Sequence, residues 1–154
     1  MARREECVEA LERVLRQITW LGRKRLAQEL SYYGVTVPQY YALLSLKKRG
    51  RSCPMNELAQ ATKQASATMT GIIDRLVRMG MVERQRKESD RRVVMVYLTR
   101  RGEQLLEEVR ARRRRGFHKA LAEFDDEEID QLLRLLEALP LAFSREEERD
   151  EKSG

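Results

Sequence analysis

Apolar positions recur at helical spacing along most of the chain. Val8, Leu11, Leu15, Ile18, Leu26 and Leu30 form one stripe, which predicts a long N-terminal helix. Gly22 interrupts the stripe without a proline, so the helix is expected to run on until Gly34. Thr36-Val37-Pro38-Gln39 then has the T-x-x-Q form of a capping box, with proline in the first turn. Tyr40, Leu43, Leu44 and Leu46 continue it as a helix ending near Gly50. Pro54 opens another helix, marked by Met55, Leu58 and Ala59. Met69, Ile72, Ile73, Leu76 and Val77 follow the i, i+3, i+4 rule of an amphipathic helix from Ser66 to Met79, and Gly80 stands where a C-cap belongs. Only Thr62 to Ala65 separate these two helices, so the second must turn sharply off the first, as in a helix-turn-helix.

The period then changes. Val82 to Arg86 reads as a short polar strand, and Val93 to Leu98 as a stronger one. Lys87 to Arg91 between them is charged and turn-like. A charged hairpin after a helix-turn-helix makes a winged helix. Thr99 can cap the next helix, from Arg100 to Glu123, whose apolar side carries Leu105, Leu106, Val109, Phe117 and Leu121. Asp125-Asp126-Glu127-Glu128 opens a last helix with a D-x-x-E cap and negative charge at the positive dipole end. Its apolar positions are Ile129, Leu132, Leu133, Leu136 and Leu139, and Pro140 ends or kinks it. The remaining tail is polar and expected to fray.

Charge narrows the partner. The net charge is +6 and the pI near 9.6, which favours an anionic partner. Nucleic acid and an anionic membrane both satisfy that on charge alone. Apolar runs are too short to span a bilayer, and the N-terminus has no apolar signal region. A cytoplasmic protein without a membrane partner is expected. The excess concentrates where the hairpin is predicted. Lys63, Arg75, Arg78, Arg84, Arg86, Lys87, Arg91, Arg92, Arg100 and Arg101 are opposed only by Asp74, Glu83, Glu88 and Asp90. Such an excess neutralises phosphates, so double-stranded DNA is the expected partner. A second basic run, Arg110 to Arg115, spreads right round a helix, so some of it must face solvent or acids such as Glu103 and Glu107.

Catalysis finds no support. Cys7, Cys53 and the sole histidine, His118, have no metal-ligand spacing, and two cysteines make no disulfide framework. No nucleophile elbow, phosphate-binding loop or zinc-protease motif occurs. No enzyme, cofactor or metal is expected.

The helix from Ser66 is the candidate reader of base edges, since the N-terminal part of the second helix of such a pair enters the major groove. With its apolar side inward, Gln64, Ser66, Ala67, Thr68, Thr70, Gly71 and Arg75 remain outside. Serine and threonine can bond phosphates or several bases, a threonine methyl can meet thymine, and Gln64 can read adenine. Arg75 can take phosphate or guanine, and Asp74 is expected to pair with a nearby cation. In the hairpin, Arg84, Arg86, Lys87, Asp90, Arg91 and Arg92 are the candidates. Asp90 and Arg92 share a strand face, so the carboxylate can steady the guanidinium.

Two motifs carry a family resemblance. Asp90-Arg91-Arg92-Val93-Val94-Met95-Val96-Tyr97-Leu98-Thr99 matches D-x-R-x-x-x-V-x-L-T, followed by Gly102; Ile72-Ile73-Asp74-Arg75-Leu76 with Gly80-Met81-Val82 is similar to L-V-D-R-L…K-G-L-V. Together they resemble the MarR family of bacterial transcription regulators, over roughly Ala10 to Leu139. The resemblance implies a mainly α protein with a small β-hairpin wing: a winged helix-turn-helix whose N- and C-terminal helices form a dimerisation region. It implies residues 1–34 as an N-terminal dimerisation helix, 35–99 as the DNA-binding lobe, 100–143 as C-terminal dimerisation helices and 144–154 as a polar tail. It also implies a homodimer on a pseudo-palindromic operator, acting as a repressor released by a small-molecule effector or by oxidation. The wing would meet the minor groove. Trp20, Tyr32, Tyr33, Tyr40 and Tyr41 lie where the resemblance puts an effector pocket, although aromatic residues at this spacing also suit a core. The position of the cysteine in the family's peroxide sensors corresponds to Glu12, and Cys7 lies more than a turn earlier. The family often has a serine cap where Ala65 stands, so Ser66 or Thr68 would have to cover the loose N–H groups. The alternative to a DNA-binding regulator is a winged-helix module that presents its basic face to an acidic protein.

Overall fold

The computed structural model describes residues 2–151. Helix α1 spans Ala2–Tyr32 without a break at Gly22. It stops at Gly34, whose φ of +67° few other residues adopt without strain. Helix α2, Val37–Lys48, starts on the expected capping box: the Gln39 N–H donates to Thr36 Oγ1 at 3.4 Å, and the Thr36 N–H to Gln39 Oε1 at 2.9 Å. Gln39 is only 3% exposed, so its bonded amide also spares the core an unsatisfied polar group.

A strand that periodicity did not announce follows. β1, Ser52–Pro54, is three residues long and contains a proline, too short and irregular to show alternation. It adds to the predicted hairpin of β2, Val82–Lys87, and β3, Asp90–Leu98, giving an antiparallel sheet in the order β1-β3-β2. Cys53 stands opposite Val96, and Val82 opposite Leu98. The turn is tighter than the charged run suggested: only Glu88 and Ser89 lie outside the strands. Near the tip Lys87 faces Asp90 while Arg86 faces Val94, so Arg91, Arg92 and Val93 bulge out of the ladder with β2.

Helices α3, Met55–Ala61, and α4, Ser66–Arg78, complete the helix-turn-helix. Leu58, Met69, Ile73 and Leu76 are fully buried with Leu30, Leu43, Leu46, Val82 and Val96. Each such side chain contributes about 1.5–3 kcal/mol by leaving water. Of the α1 stripe, only Leu26 and Leu30 join this core; Val8, Leu11, Ile18 and Trp20 are exposed. Cys53 is buried and Cys7 exposed, both as free thiols. Burial pushes the Cys53 thiol up, against the lowering effect of Arg49 and with a raising one from Glu57.

Helix α5 covers Arg100–Ala120. Its first two turns are tied by ion pairs from Glu103 to Arg51 (2.7 Å) and from Glu107 to Lys47 (3.7 Å). These acids therefore serve the lobe, while most of the arginine run faces solvent, the other arrangement expected for it. Residues 1–110 and 111–154 form two compact units, the division falling within α5. In the second unit Asp125 caps α6, Asp126–Glu151, reciprocally with Glu128: the Glu128 N–H donates to Asp125 Oδ1 at 2.8 Å and the Asp125 N–H to Glu128 Oε2 at 3.0 Å. The helix passes through Pro140 and takes in most of the polar tail, so of the two outcomes expected at the proline, an end or a kink, the helix does not end there. A proline removes one N–H donor; the turns around it keep theirs, and the following Arg and Glu residues are good helix formers. Residues 152–154 lie outside the described residues.

One joint gathers four elements of the first unit. Thr99 Oγ1 donates to the Gly80 carbonyl at 2.7 Å and accepts from the Gly102 N–H at 3.2 Å. The Thr99 N–H donates to the Met81 carbonyl at 3.1 Å. Gly80 has φ +71°, and a Cβ on Gly102 would collide with the Met81 carbonyl oxygen and Leu98 Cδ1. Gly102→Ala should therefore lower unfolding stability by about 1–3 kcal/mol through overpacking. Urea denaturation measures this, and an unchanged midpoint would show that the joint gives way without cost.

Candidate nucleic-acid interface

Burial of Met69, Ile73 and Leu76 fixes which side of α4 faces out. Ser66, Ala67, Thr68, Thr70, Gly71 and Arg75 are all exposed, as the periodicity required, and Gln64 is half-buried in the turn before them. A Cβ on Gly71 would meet nothing within 4 Å. The face is thus flat and small-residued at its centre. The Thr70 hydroxyl is engaged within the helix, donating to the Ser66 carbonyl at 3.0 Å. Ala65 is the N-cap, extended at φ −64° and ψ 147°, and no side chain caps the helix. Neither Ser66 nor Thr68 takes over the role expected of one of them, so the first N–H groups of α4 lack a side-chain acceptor.

The wing is joined to this helix by an ion pair. Arg84 Nη1 of β2 lies 2.6 Å from Asp74 Oδ1 of α4. Asp74 therefore has the cationic partner expected for it. Arg84, a wing candidate, is thereby committed to an intramolecular carboxylate. Both groups are partly open to solvent, so the pair is worth about 0–1 kcal/mol and its effect is mainly orientational.

At the bulged tip one carboxylate oxygen organises one arginine. Asp90 Oδ1 accepts from the Arg92 backbone N–H at 3.1 Å and from Arg92 Nε at 3.2 Å. The Arg92 side chain is 92% exposed, so its remaining guanidinium donors face solvent. Arg86 Nη1 donates weakly to the Arg91 carbonyl at 3.4 Å, and Lys87 and Arg91 are exposed beside it.

Between α4 and the wing runs an open groove of about 450 Å³, lined by Met55, Asn56, Ala59, Ser66, Thr70, Arg84, Arg92, Val93 and Val94. Four of these, Ser66, Thr70, Arg84 and Arg92, are sequence-predicted candidates from α4, β2 and β3, brought together by the Asp74–Arg84 pair and the bulge. Met55, Asn56, Ala59, Val93 and Val94 are additions. Asn56 carried only the signal that it falls between the apolar positions Met55 and Leu58 of a helix.

The five aromatic candidates have different surroundings among the described residues. Tyr40 is 7% exposed and belongs to the core, its ring meeting Tyr41 edge-on at 5.7 Å. Tyr32 and Tyr33 make a similar contact at 5.2 Å at the end of α1. Trp20 lies about 18 Å back along the same helix, exposed beneath the Lys24 ammonium at 4.9 Å. Alternating tyrosine pairs look clustered in the sequence, but neighbouring residues on a helix diverge by about 100°.

Known proteins place this arrangement. The model of the MarR family matches residues 35–94, which hold α2, β1, α3, α4, β2 and the outer part of β3. The HTH-type transcriptional regulator YsmB of Bacillus subtilis (strain 168), itself uncharacterized, is 33% identical over 124 residues, covering 80% of this chain and 84% of that one. The HTH-type transcriptional repressor MdtR of the same organism is 30% identical over 129 residues, covering 84% and 83%. Both are transcription regulators and not enzymes. A MarR family protein from Bacillus stearothermophilus has the same fold, with a TM-score of 0.79 and 35% identity over 91% of this chain and 97% of that one. A helix-turn-helix joined to a wing that carries D-x-R and V-x-L-T thus has both the shape and the sequence of this group: the chain belongs to the MarR family of transcription regulators.

Proposed function

We propose that the chain is a sequence-specific DNA-binding regulator that acts as a homodimer on a pseudo-palindromic operator, as a repressor released by an effector. The observation that carries this reading is the groove between α4 and the wing, where a small polar helix face and the exposed Arg92 share one surface. Asp74 and Asp90, the two acids nearest in sequence to these groups, are paired with Arg84 and Arg92 and so do not repel a phosphate freely. The uncapped N-terminus of α4 suits a phosphate or a base edge. On this reading Gln64, Ser66, Thr68, Thr70 and Arg75 meet the major groove. Arg92 enters the minor groove, and Arg86, Lys87 and Arg91 approach phosphates. Arg84 sets the angle between the two reading elements. Repression is supported by the relative MdtR.

Pairing is supported by surface that one chain leaves wet. Leu11, Ile18 and Trp20 of α1 are more than half exposed, as are Leu133, Leu135, Leu141 and Phe143 of α6. Exposed apolar side chains of this kind are what a protein interface would cover. Residues 1–34 and 100–143 would form the dimerisation region around lobes of residues 35–99. No described helix is long and apolar enough to cross a membrane, and a regulator of transcription belongs with the DNA in the cytoplasm.

Selection of bound duplexes from a random pool tests the proposal directly. A consensus should emerge at moderate salt; enrichment of no sequence at any salt concentration would refute it. That consensus should be two inverted half-sites with centres roughly 10 base pairs apart. Sedimentation at micromolar concentration should show a dimer, and a monomer with full specific binding would contradict the pairing.

Thr68→Ala and Thr70→Ala should each change the selected sequence more than the non-specific affinity, at about 1–3 kcal/mol per lost base contact. Because the Thr70 hydroxyl is engaged within its helix, its share should come through the methyl. Identical selections by both variants and the parent would move the reading face elsewhere.

Arg92→Ala and Lys87→Ala should fail differently. The first should weaken operator binding and reduce the preference for A·T pairs flanking each half-site, since a narrow minor groove attracts an inserted arginine. The second should weaken all duplexes alike and lower the salt slope by about one unit. A folded, dimeric Arg92→Ala with unchanged affinity and flank preference would place the wing outside the groove.

A further inference from the structure

The basic run of α5 belongs to neither reading element. At about 100° per residue, Arg113 and Gly116 continue the side of α5 that buries Leu105, Leu106 and Val109, and both are half-buried. Arg112, Arg114, Arg115, His118 and Lys119 fall on the other side, and all five are exposed. From Arg112 onward the run therefore builds one basic face, two helical turns or about 11 Å long.

These cations are not used within the chain. Lys47, Arg49, Arg51 and Arg84 each hold a carboxylate. Arg114, Arg115 and Lys119 have no hydrogen-bond or ion-pair partner among the described residues. Arg115 has Arg112 three residues before it and Lys119 four residues after it, the spacings at which like charges repel on a helix. Of the acids that follow, Asp125 and Glu128 close the α6 cap and Glu127 accepts from Gln131. An anion from outside the chain would relieve the repulsion.

We propose that this face is a second DNA-binding surface, which holds the phosphates of a duplex without regard to sequence. A duplex carries one negative charge per about 1.7 Å of its axis, so a face two turns long meets several phosphates. Its cations are mostly arginines, whose forked donors match phosphate oxygens in pairs. Between Gln104 and Gln131 the chain has no hydroxyl or amide side chain to discriminate among base edges. An acidic protein fits less well, because protein interfaces are anchored by apolar and aromatic groups and this face has none. An anionic membrane fits less well too: interfacial helices set a broad apolar face against the basic one, and here Arg113, Gly116 and Ala120 stand opposite. The surface does not depend on the reading role of α4 and the wing; it adds affinity for any duplex to whatever those elements select.

The test compares the full chain with a triple variant, Arg114→Gln, Arg115→Gln and Lys119→Gln. Glutamine is as good a helix former as the residues it replaces, so helical circular dichroism should not fall. Anisotropy of a labelled duplex of scrambled sequence, followed from 50 to 200 mM salt, should show the triple variant binding roughly tenfold more weakly, with a salt slope lower by about two to three units. The consensus selected from a random pool should stay that of the parent. Arg114→Lys with Arg115→Lys, which keeps the charge, should keep the parent's slope. Unchanged affinity and slope in the triple variant overturn the proposal. A changed consensus also overturns it, by making these residues base readers. A variant that sediments as a monomer where the parent is a dimer assigns the face to a second copy instead. Lost binding to phosphatidylglycerol vesicles with duplex binding intact assigns it to a lipid surface. The same substitutions made on top of Lys87→Ala and Arg92→Ala should lower the slope by a similar amount again; no further drop there would mean that the two sets of cations are not separate surfaces. If the parent enriches no sequence while the triple variant still lowers the slope, the reading role of α4 fails and this surface stands.

Discussion

The joint at Thr99 sets the geometry on which the DNA-binding lobe depends. One threonine hydroxyl serves two masters: it donates to Gly80 at the end of α4 and accepts from Gly102 in the first turn of α5. Its backbone N–H holds Met81, where β2 is about to begin. Four element ends therefore meet within a few residues, and their spacing is set by backbone contacts that leave no room for a Cβ on Gly102. Helix α4 leaves this point in one direction and the wing in another. A hydrogen bond of this kind contributes only about 1 kcal/mol net. Its consequence is larger than its energy, because the angle between α4 and the wing is decided there.

The electrostatics follow the same logic. The exposed ion pairs Asp74–Arg84 and Asp90–Arg92 add little stability. What they remove is freedom. An arginine side chain carries about 2 kcal/mol of rotamer entropy, which a free guanidinium would lose on meeting a ligand. Asp90 restrains part of Arg92 in advance, from backbone and side chain through one oxygen. Asp74 does the same for Arg84, at the level of two elements and not one hairpin. The basic surface is therefore less a cloud of charge than a few arginines held at fixed places.

The amphipathic helices and their caps were legible because their signals are local. Thr36/Gln39 and Asp125/Glu128 read as boxes in the sequence and close as boxes in the structure. The outward face of α4 followed from the buried positions of Met69, Ile73 and Leu76. The features that escaped depend on distant partners. β1 is a strand only because β3 runs beside it. Glu103 and Glu107 lie a turn or two before the arginine run in sequence, yet Arg51 and Lys47 reach them from the end of α2. The groove beside Asn56 needs the wing folded back over α4 before it exists. Gly102 was visible as part of a motif, but its necessity lies in the Met81 carbonyl, which no spacing rule brings near.

Helix α4 is held unequally along its length. Its C-terminal half has the Asp74–Arg84 pair and the joint at Gly80, as well as Ile73 and Leu76 in the core. Its N-terminal end has Met69 in the core but an alanine N-cap, forgoing about 1 kcal/mol that a serine or aspartate would supply. The turn before it places Lys63 in a left-handed conformation, a further cost. The least stabilised part of α4 is thus the part with the small polar face. Opening free energies vary within a fold, and segments that respond to ligands come from the low end. A side-chain acceptor at position 65 would strengthen the helix start but would also occupy N–H groups otherwise open to a phosphate or base edge. On the proposed DNA-reading role, local stability and recognition compete for the same donors there, and an alanine at position 65 leaves them open.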